Sequence, residues 1–221
     1  MVWTAGWGEK GIGHAHSKDL VHWSEQKCFE VMAHEPTTLN TWAPEIAYDE
    51  VNNQYMVFWA STIPGRYPGD DDHESKLNHR MYYFTTKDFE TISPTRLLFD
   101  PGHSVIDATI VRRNGGYVMV FKDERRAMRR LRAAFSENIL GPYRNISEPF
   151  TEMYSEGPSV LRIGDEWIVY FDLYRRNVYA AMKTKDFKSW TDVTPETSFP
   201  NGQRHGTVLQ VSQEILDGLG N

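Results

Sequence analysis

The sequence has one cysteine, Cys28, among 221 residues, so no disulfide can form within it. Long apolar runs are also missing: no stretch approaches the length that crosses a bilayer, and the first ten residues lack the basic start and apolar run of a signal peptide. Positive charge is in deficit, with 24 Lys and Arg against 30 Asp and Glu. These absences argue against membrane and nucleic-acid partners. The compartment stays open, because any leader would lie upstream of this sequence.

Helical patterning is equally scarce, since only residues 212–220 show an apolar stripe with a period near 3.6. In its place the sequence has short aromatic and β-branched segments at 54–61, 117–124 and 166–174, each preceded by a tight turn of Asn, Asp or Gly. A second pattern, Ser or Thr followed two residues later by Asp or Asn, recurs at 17, 86, 136 and 184 and is typical of turns. The chain is therefore predicted to be all-β.

Polar residues open three strand-like segments at a constant interval. Asp107, Glu156 and His205 follow one another at 49 residues, and Trp42 falls into the same phase once the 16-residue insertion 64–79 is removed. Repeats of about 50 residues with four strands each predict a β-propeller. In such a ring, every repeat points one side chain toward a shared centre.

The number of repeats sets the expected architecture. Complete units begin near residues 42, 107 and 156, whereas residue 205 begins an inner strand and a short tail; residues 1–41 supply only the later strands of an earlier unit. We therefore predict a single five-bladed β-propeller domain over residues 1–221, N-terminally incomplete in its first blade. Unpaired strand edges in that blade predict either low stability or a homo-oligomer that covers the gap.

Four stretches resemble glycoside hydrolase family 43. They are TWAPEIAYDEVNNQYMVFWAS at 41–61, SVIDATIVRRNGGYVMVFKDE at 104–124, SEGPSVLRIGDEWIVYF at 155–171 and RHGTVLQV at 204–211. The resemblance covers nearly the whole chain. It implies a five-bladed propeller that inverts anomeric configuration while hydrolysing arabinose-, xylose- or galactose-containing saccharides.

The same resemblance assigns roles to the phased residues. Glu156 is similar to the family's general acid, and Asp107 to the aspartate that tunes the pKa of the acid. His205 is similar to a histidine near the channel axis that binds a calcium ion or its water. Because a proton donor at neutral pH needs a raised pKa, we predict that Glu156 is protonated and Asp107 ionised.

One catalytic group has no counterpart in this sequence. The family's general base is an aspartate on the innermost strand of blade one, and no residue here matches it. The resemblance therefore predicts an exo-acting glycosidase of the α-L-arabinofuranosidase or β-xylosidase type whose hydrolysis is weakened or lost. The alternative is a non-catalytic propeller that binds glycans or a protein partner.

The remaining candidates each have two interpretations. Trp42 either stacks on a sugar ring or packs between blades, and Arg204 either binds sugar hydroxyls or pairs with a channel carboxylate. His205 is either a water-mediated metal neighbour or a hydrogen-bonded core histidine. No cofactor is required, and a structural Ca²⁺ near the channel axis is the metal expected. Structural or solvated roles are predicted for Glu45, for residues 122–124 and for the acidic run 69–74.

Overall fold

The computed structural model describes residues 1–67, 77–200 and 202–220, and nearly all of the regular structure in these ranges is β. The acidic run 69–74 lies outside the described residues. The strands are β1 (Val2–Thr4), β2 (Ile12–His14), β3 (Lys27–Phe29), β4 (Trp42–Asp49), β5 (Gln54–Thr62), β6 (His79–Thr86), β7 (Arg96–Phe99), β8 (Val105–Arg113), β9 (Gly116–Asp123), β10 (Arg130–Ser136), β11 (Ser155–Ile163), β12 (Glu166–Leu173), β13 (Val178–Thr184) and β14 (Thr191–Asp192).

These strands form four antiparallel sheets that follow one another along the chain. Their strand orders are β1-β2-β3, β4-β5-β6-β7, β8-β9-β10 and β11-β12-β13-β14, so each sheet is a simple meander. The first strand of each sheet contacts the first strand of the next, with β1 beside β4, β4 beside β8 and β8 beside β11. Meanders arranged with their first strands side by side are the blades of a β-propeller. The predicted fold class is confirmed.

Apolar side chains fill the spaces between successive sheets. Trp59 and Phe84 lie between the first two sheets, Phe58 and Phe121 between the second and third, and Val120 lies in the cluster between the third and fourth. All five side chains are fully buried. The second strands β5 and β9 are buried along nearly their whole length and thus pack on both faces.

The recurring Ser/Thr turns have the predicted hydrogen bonds. The hydroxyl oxygens of Ser17, Thr86, Ser136 and Thr184 accept from backbone N–H groups two or three residues later. The Asp or Asn side chain two positions later accepts from the backbone N–H groups that follow it, as Asp88 does from Glu90 and Thr91. These turns close the outer edges of the blades.

Two strand predictions are wrong. The third sheet has no fourth strand among the described residues, and a single bridge between Phe135 and Arg144 takes its place. The described segment after His205 also forms no strand; it is held by isolated bonds, such as that from the Val208 N–H to the Ser159 hydroxyl. The predicted C-terminal helix is present as α1 (Gln213–Leu219). In the described part of the chain, no helix has the length and apolar character needed to cross a bilayer.

A bulge interrupts the beginning of β4, β8 and β11, and comparison of the three bulges shows that the phased residues differ in position by one. The pairing register changes between Trp42 and Glu45, between Ile106 and Thr109, and between Glu156 and Ser159. The residue after each first member has left-handed φ: Ala43 (48°), Asp107 (52°) and Gly157 (58°), and His205 repeats this conformation at 43°. Glu156 is therefore structurally equivalent to Ile106, and Gly157 to Asp107. The equal spacing of 49 concealed this offset.

Candidate active site

A cavity of about 610 Å³ opens where β4, β8 and β11 begin. Its lining includes Trp7, Trp42, Asp107, Lys122, Glu156 and His205. Of the predicted site residues, only Arg204 is not in this lining, and it contacts the cavity through Glu156. The bulges explain the convergence, because each one turns a side chain out of the sheet toward the space between the blades.

Glu156 lies at the centre of a cluster of positive charges. Its Oε2 accepts from Lys122 Nζ at 2.9 Å, and its Oε1 accepts from Arg204 Nη2 at 3.1 Å and from His205 Nε2 at 3.2 Å. Burial by itself would raise the pKa of Glu156. The hydrogen bond from His205 and the charge of Lys122 outweigh it and lower this pKa to about 2. The carboxyl is therefore ionised at neutral pH.

Asp107 shows the opposite behaviour one strand away. Its side chain is 7% exposed, and Oδ2 accepts from the backbone N–H of Gly157 at 3.1 Å. Burial raises the pKa of Asp107 despite the opposing charges of His205 and Lys122. The prediction that Glu156 carries the raised pKa is thus wrong for this arrangement, since of the two carboxyls it is Asp107 whose pKa is raised. The cations contact Glu156 directly and reach Asp107 only through space.

His205 is fixed from two sides. Its backbone N–H donates to Asp172 Oδ2 at 2.7 Å, and its ring lies against Gly157, where an added Cβ would come within 2.9 Å of Nδ1. The hydrogen bond to Glu156 raises the pKa of His205 to about 9, against the lowering effect of burial. The imidazole is therefore charged at neutral pH, with Nε2–H donating to Glu156. Sequence reasoning missed Asp172, which orients this histidine.

Trp42 forms one wall of the cavity together with Trp7. The two indoles meet edge to face with ring centroids 5.2 Å apart, and Trp42 Nε1 donates to the carbonyl oxygen of Trp7 at 2.9 Å. Trp7 is 81% exposed, and Trp42 also contacts His79 at 5.4 Å between ring centroids. The pair offers apolar ring surface to a bound molecule. Trp7 was not singled out from the sequence, because it belongs to none of the repeats.

The predicted solvated turn at residues 122–124 is wrong. Lys122, Asp123 and Glu124 are all buried. Lys122 bonds to both Glu156 and Glu124, while Asp123 binds Arg125 and Arg132 on the other side of the strand. Alternation along β9 separates these two networks. Lys122 and Glu124 thus belong to the cavity.

A second cavity, of about 320 Å³, adjoins the first along the channel. Asp107, His205 and Gly157 border it, and so does Glu45. Burial raises the pKa of Glu45 to about 7, against a lowering hydrogen bond from the Ile46 backbone. A structural role was predicted for this residue; the structure adds that its carboxyl titrates near neutral pH beside the channel.

The expected calcium ion requires oxygen ligands. One ligand atom each from Asp107, Glu156 and His205 lies within 4.8 Å of the others. This set does not fit direct coordination, because one of its three members offers a nitrogen and Glu156 already accepts from three cationic side chains. A water-mediated ion near His205 stays a prediction.

Three comparisons bear on this geometry. Residues 3–217 match a family model that is described as a probable glycosyl hydrolase domain and whose name marks it as related to glycoside hydrolase family 43. An α-L-arabinofuranosidase of Bifidobacterium longum subsp. longum is 27% identical over 134 residues, which is 54% of this chain and 12% of that protein. The chain thus spans about an eighth of the length of this relative.

The solved structures that resemble this chain share its fold. An exo-β-1,3-galactanase of Phanerochaete chrysosporium superposes with a TM-score of 0.63 at 13% identity, covering 85% of this chain and 44% of that one. A thermostable family-43 glycoside hydrolase gives a TM-score of 0.62 at 15% identity, covering 86% and 66%. The fold is the five-bladed β-propeller of these enzymes. On the extent of the family match, the chain belongs to the family of probable glycosyl hydrolase domains related to glycoside hydrolase family 43.

Proposed function

We propose that this chain is a glycosidase domain that hydrolyses terminal pentoside linkages with inversion, in the manner of an α-L-arabinofuranosidase or β-xylosidase. One observation carries the proposal: carboxyl oxygens of Asp107 and Glu156 and a ring nitrogen of His205 lie within 4.8 Å of one another, in a cavity lined by two tryptophans. Two carboxyl groups beside an aromatic wall are the equipment of glycosidic-bond cleavage.

Glu156 is the proton donor in this proposal. Its side chain is 17% exposed, whereas Asp107 is 7% exposed, so Glu156 is the more accessible of the two carboxyls to an entering sugar. A sugar that enters displaces water from Glu156 and competes with Arg204, whose side chain is half exposed. Both changes raise the pKa of Glu156 toward the range in which a carboxylic acid donates a proton. Asp107 tunes that rise through its own charge state.

The substrate class is inferred from the relatives and from the size of the cavity. The curated relative is named an α-L-arabinofuranosidase, which supports arabinose as the sugar. A cavity of about 610 Å³ has room for one or two sugar rings and suits a terminal residue of a side chain. Because a structural neighbour is named an exo-β-1,3-galactanase, galactosides belong in the same screen.

The test is a set of 4-nitrophenyl glycosides: α-L-arabinofuranoside, β-D-xyloside and β-D-galactoside. Since no residue matches the family's base, each is measured with and without azide, which can attack the anomeric carbon in place of activated water. We expect pentoside cleavage that azide accelerates, with a glycosyl azide of inverted configuration as product. Failure of all three glycosides with and without azide would refute the proposal. So would an undiminished rate of Glu156→Gln on arabino-oligosaccharides, whose leaving group needs a proton, unlike 4-nitrophenol.

The second candidate is a glycan-binding propeller without hydrolysis. The three cations on Glu156 favour it, because a carboxylate held by Lys122, Arg204 and His205 is a poor proton donor. Titration with arabino- and xylo-oligosaccharides by calorimetry separates the two candidates. Binding without turnover, unchanged by azide, supports this one.

A further inference from the structure

Lys122 is a buried cation shared between two carboxylates. Its side chain is 7% exposed, and Nζ contacts Glu156 Oε2 at 2.9 Å as well as the carboxylate of Glu124. The ammonium also lies 5.0 Å from the centroid of the Tyr174 ring. Lys122 and Glu124 are two positions apart and reach the same cavity, as alternation along an extended chain requires.

Glu124 opposes the influence of the ammonium on Glu156. A buried charge interacts strongly with each neighbour because little water screens it. The negative charge of Glu124 beside Lys122 therefore offsets part of the positive potential that Lys122 produces at Glu156. Other charged or titratable groups face Glu156 from every neighbouring element: Asp107 from β8, Asp172 and Tyr174 from β12 and its end, and Arg204 and His205 from the C-terminal segment.

Arg204 and Lys122 differ in how firmly they are held. The Arg204 side chain is 50% exposed, so an incoming ligand can move it, whereas Lys122 is enclosed by Glu124 and Tyr174. Lys122 therefore remains on Glu156 together with the fixed imidazole of His205 when a ligand displaces Arg204.

We propose that Lys122 and Glu124 are positioning residues that act through Glu156: Lys122 fixes its Oε2 oxygen and favours the carboxylate, and Glu124 moderates this effect. The inference rests on the proposed role of Glu156 as proton donor. The low pKa of Glu156, about 2, agrees with it. Neither residue matches a catalytic motif of the sequence; Lys122 lies on β9 and Glu124 directly follows it, and their roles follow from burial and contacts alone.

Opposite effects of two adjacent substitutions test the proposal. Lys122→Met removes the cation and should move the basic limb of the pH profile of kcat, which reports the substrate-bound enzyme, upward by about one unit or more. Glu124→Gln leaves Lys122 with Glu156 as its carboxylate partner and should move the same limb downward. Lys122→Arg keeps the charge and should restore most of the wild-type profile. A merely structural role predicts lower activity in both variants without opposed pH shifts.

A second readout does not depend on turnover. Carboxyl carbon NMR of ¹³C-labelled protein, with Glu156→Gln to assign the resonance, follows the titration of Glu156 directly. We expect the same order of midpoints: Lys122→Met above wild type and Glu124→Gln below it. If every protein is inactive, the proposed hydrolysis fails, while these midpoints still decide the role of Lys122.

Lys122→Met destabilises the fold, because it leaves Glu124 buried beside an apolar side chain. The double variant Lys122→Met/Glu124→Gln removes both charges, and it should titrate between wild type and the expected Lys122→Met value. Equal midpoints in wild type, Glu124→Gln and the double variant would overturn the proposal. A shift of Glu124→Gln in the upward direction would do the same.

Discussion

Asp107 and Glu156 begin neighbouring blades, face the same cavity and have opposite electrostatic environments. Asp107 is enclosed and accepts one backbone N–H, so burial raises its pKa. Glu156 is also largely enclosed, yet three cationic side chains hold its pKa at about 2. Burial alone therefore does not decide which of two converging carboxyls is protonated. The decisive difference is direct contact with charged donors.

The largest expected effect is the difference in activity between variants of Glu156 and of Asp107. If Glu156 is the proton donor, Glu156→Gln should lower kcat/KM on arabino-oligosaccharides by about 10²–10⁴-fold, the usual contribution of general acid catalysis. Asp107→Asn should cost about tenfold, because it changes the acid by about one pKa unit. Steady-state kinetics on both variants measures the contrast. Equal losses would show that the two carboxyls are not divided into donor and tuner.

The pH dependence of stability should also have opposite signs. The pKa of Glu156 falls from 4.5 to about 2 on folding, so it contributes about 3 kcal/mol above pH 4.5, which is lost as pH falls toward 2. The pKa of Asp107 rises on folding, so its contribution is present below its unfolded value of 3.8 and decreases as pH rises through its folded value.

Urea unfolding between pH 2 and 7 tests this contrast. The acid-side slope should be smaller in Glu156→Gln than in wild type, and Asp107→Asn should gain relative stability as pH rises. If each variant differed from wild type by the same unfolding free energy at every pH, the electrostatic environments assigned to Glu156 and Asp107 would be contradicted.

Substitutions at two glycines test how strongly the position of the His205 ring depends on the bulge in β11. Gly157 and Gly164 both have left-handed φ, 58° and 64°. An alanine Cβ at Gly157 would press on the His205 ring, while at Gly164 no described heavy atom lies within 4 Å. Gly164→Ala should cost about 1 kcal/mol from the backbone alone, and Gly157→Ala about 2 kcal/mol or more. Urea unfolding measures both, and equal losses would mean that the ring moves aside freely.

The smallest effect is expected at the aromatic wall. Trp7→Ala should weaken oligosaccharide binding about tenfold by removing the exposed ring beside Trp42, with little change in unfolding free energy. Trp23→Ala is the matched control, since this partly exposed tryptophan lies in a blade turn outside the cavity lining. Calorimetric titration compares the two. Equal weakening in both variants would remove Trp7 from the proposed site.

Much of the fold was predictable because propeller blades repeat in sequence. Tight turns, aromatic strands and a near-50-residue interval located the sheets, and the same interval brought Asp107, Glu156 and His205 together. The strand after His205 was overpredicted, because its apolar pattern resembles an inner strand while the described segment has no ladder partner. The one-residue offset of Glu156 was hidden, because a bulge changes register without changing the spacing pattern.

The residues of the second strands that contact Glu156 and His205 were not assigned to the site, for a different reason. Charged residues at the end of a strand usually face solvent, so Lys122 was predicted to lie in a solvated turn and Asp172 was given no role. They are 50 residues apart, and in the sheets they pair with Ile106 and Glu156 respectively. Extending the repeat from first strands to second strands would have found both. Trp7 had no such signal, because it lies in an irregular loop and contacts Trp42 from a distant part of the chain.

The shared left-handed backbone conformation gives the propeller a set of equivalent positions that accept different side chains. Ala43, Asp107, Gly157 and His205 fill the same backbone shape with a methyl, a carboxyl, a hydrogen and an imidazole. Chemistry at the axis can thus diversify by swapping one residue per blade, while the surrounding sheets keep their architecture. Natural selection and protein engineering can therefore each change one of these residues without rebuilding the sheet that carries it.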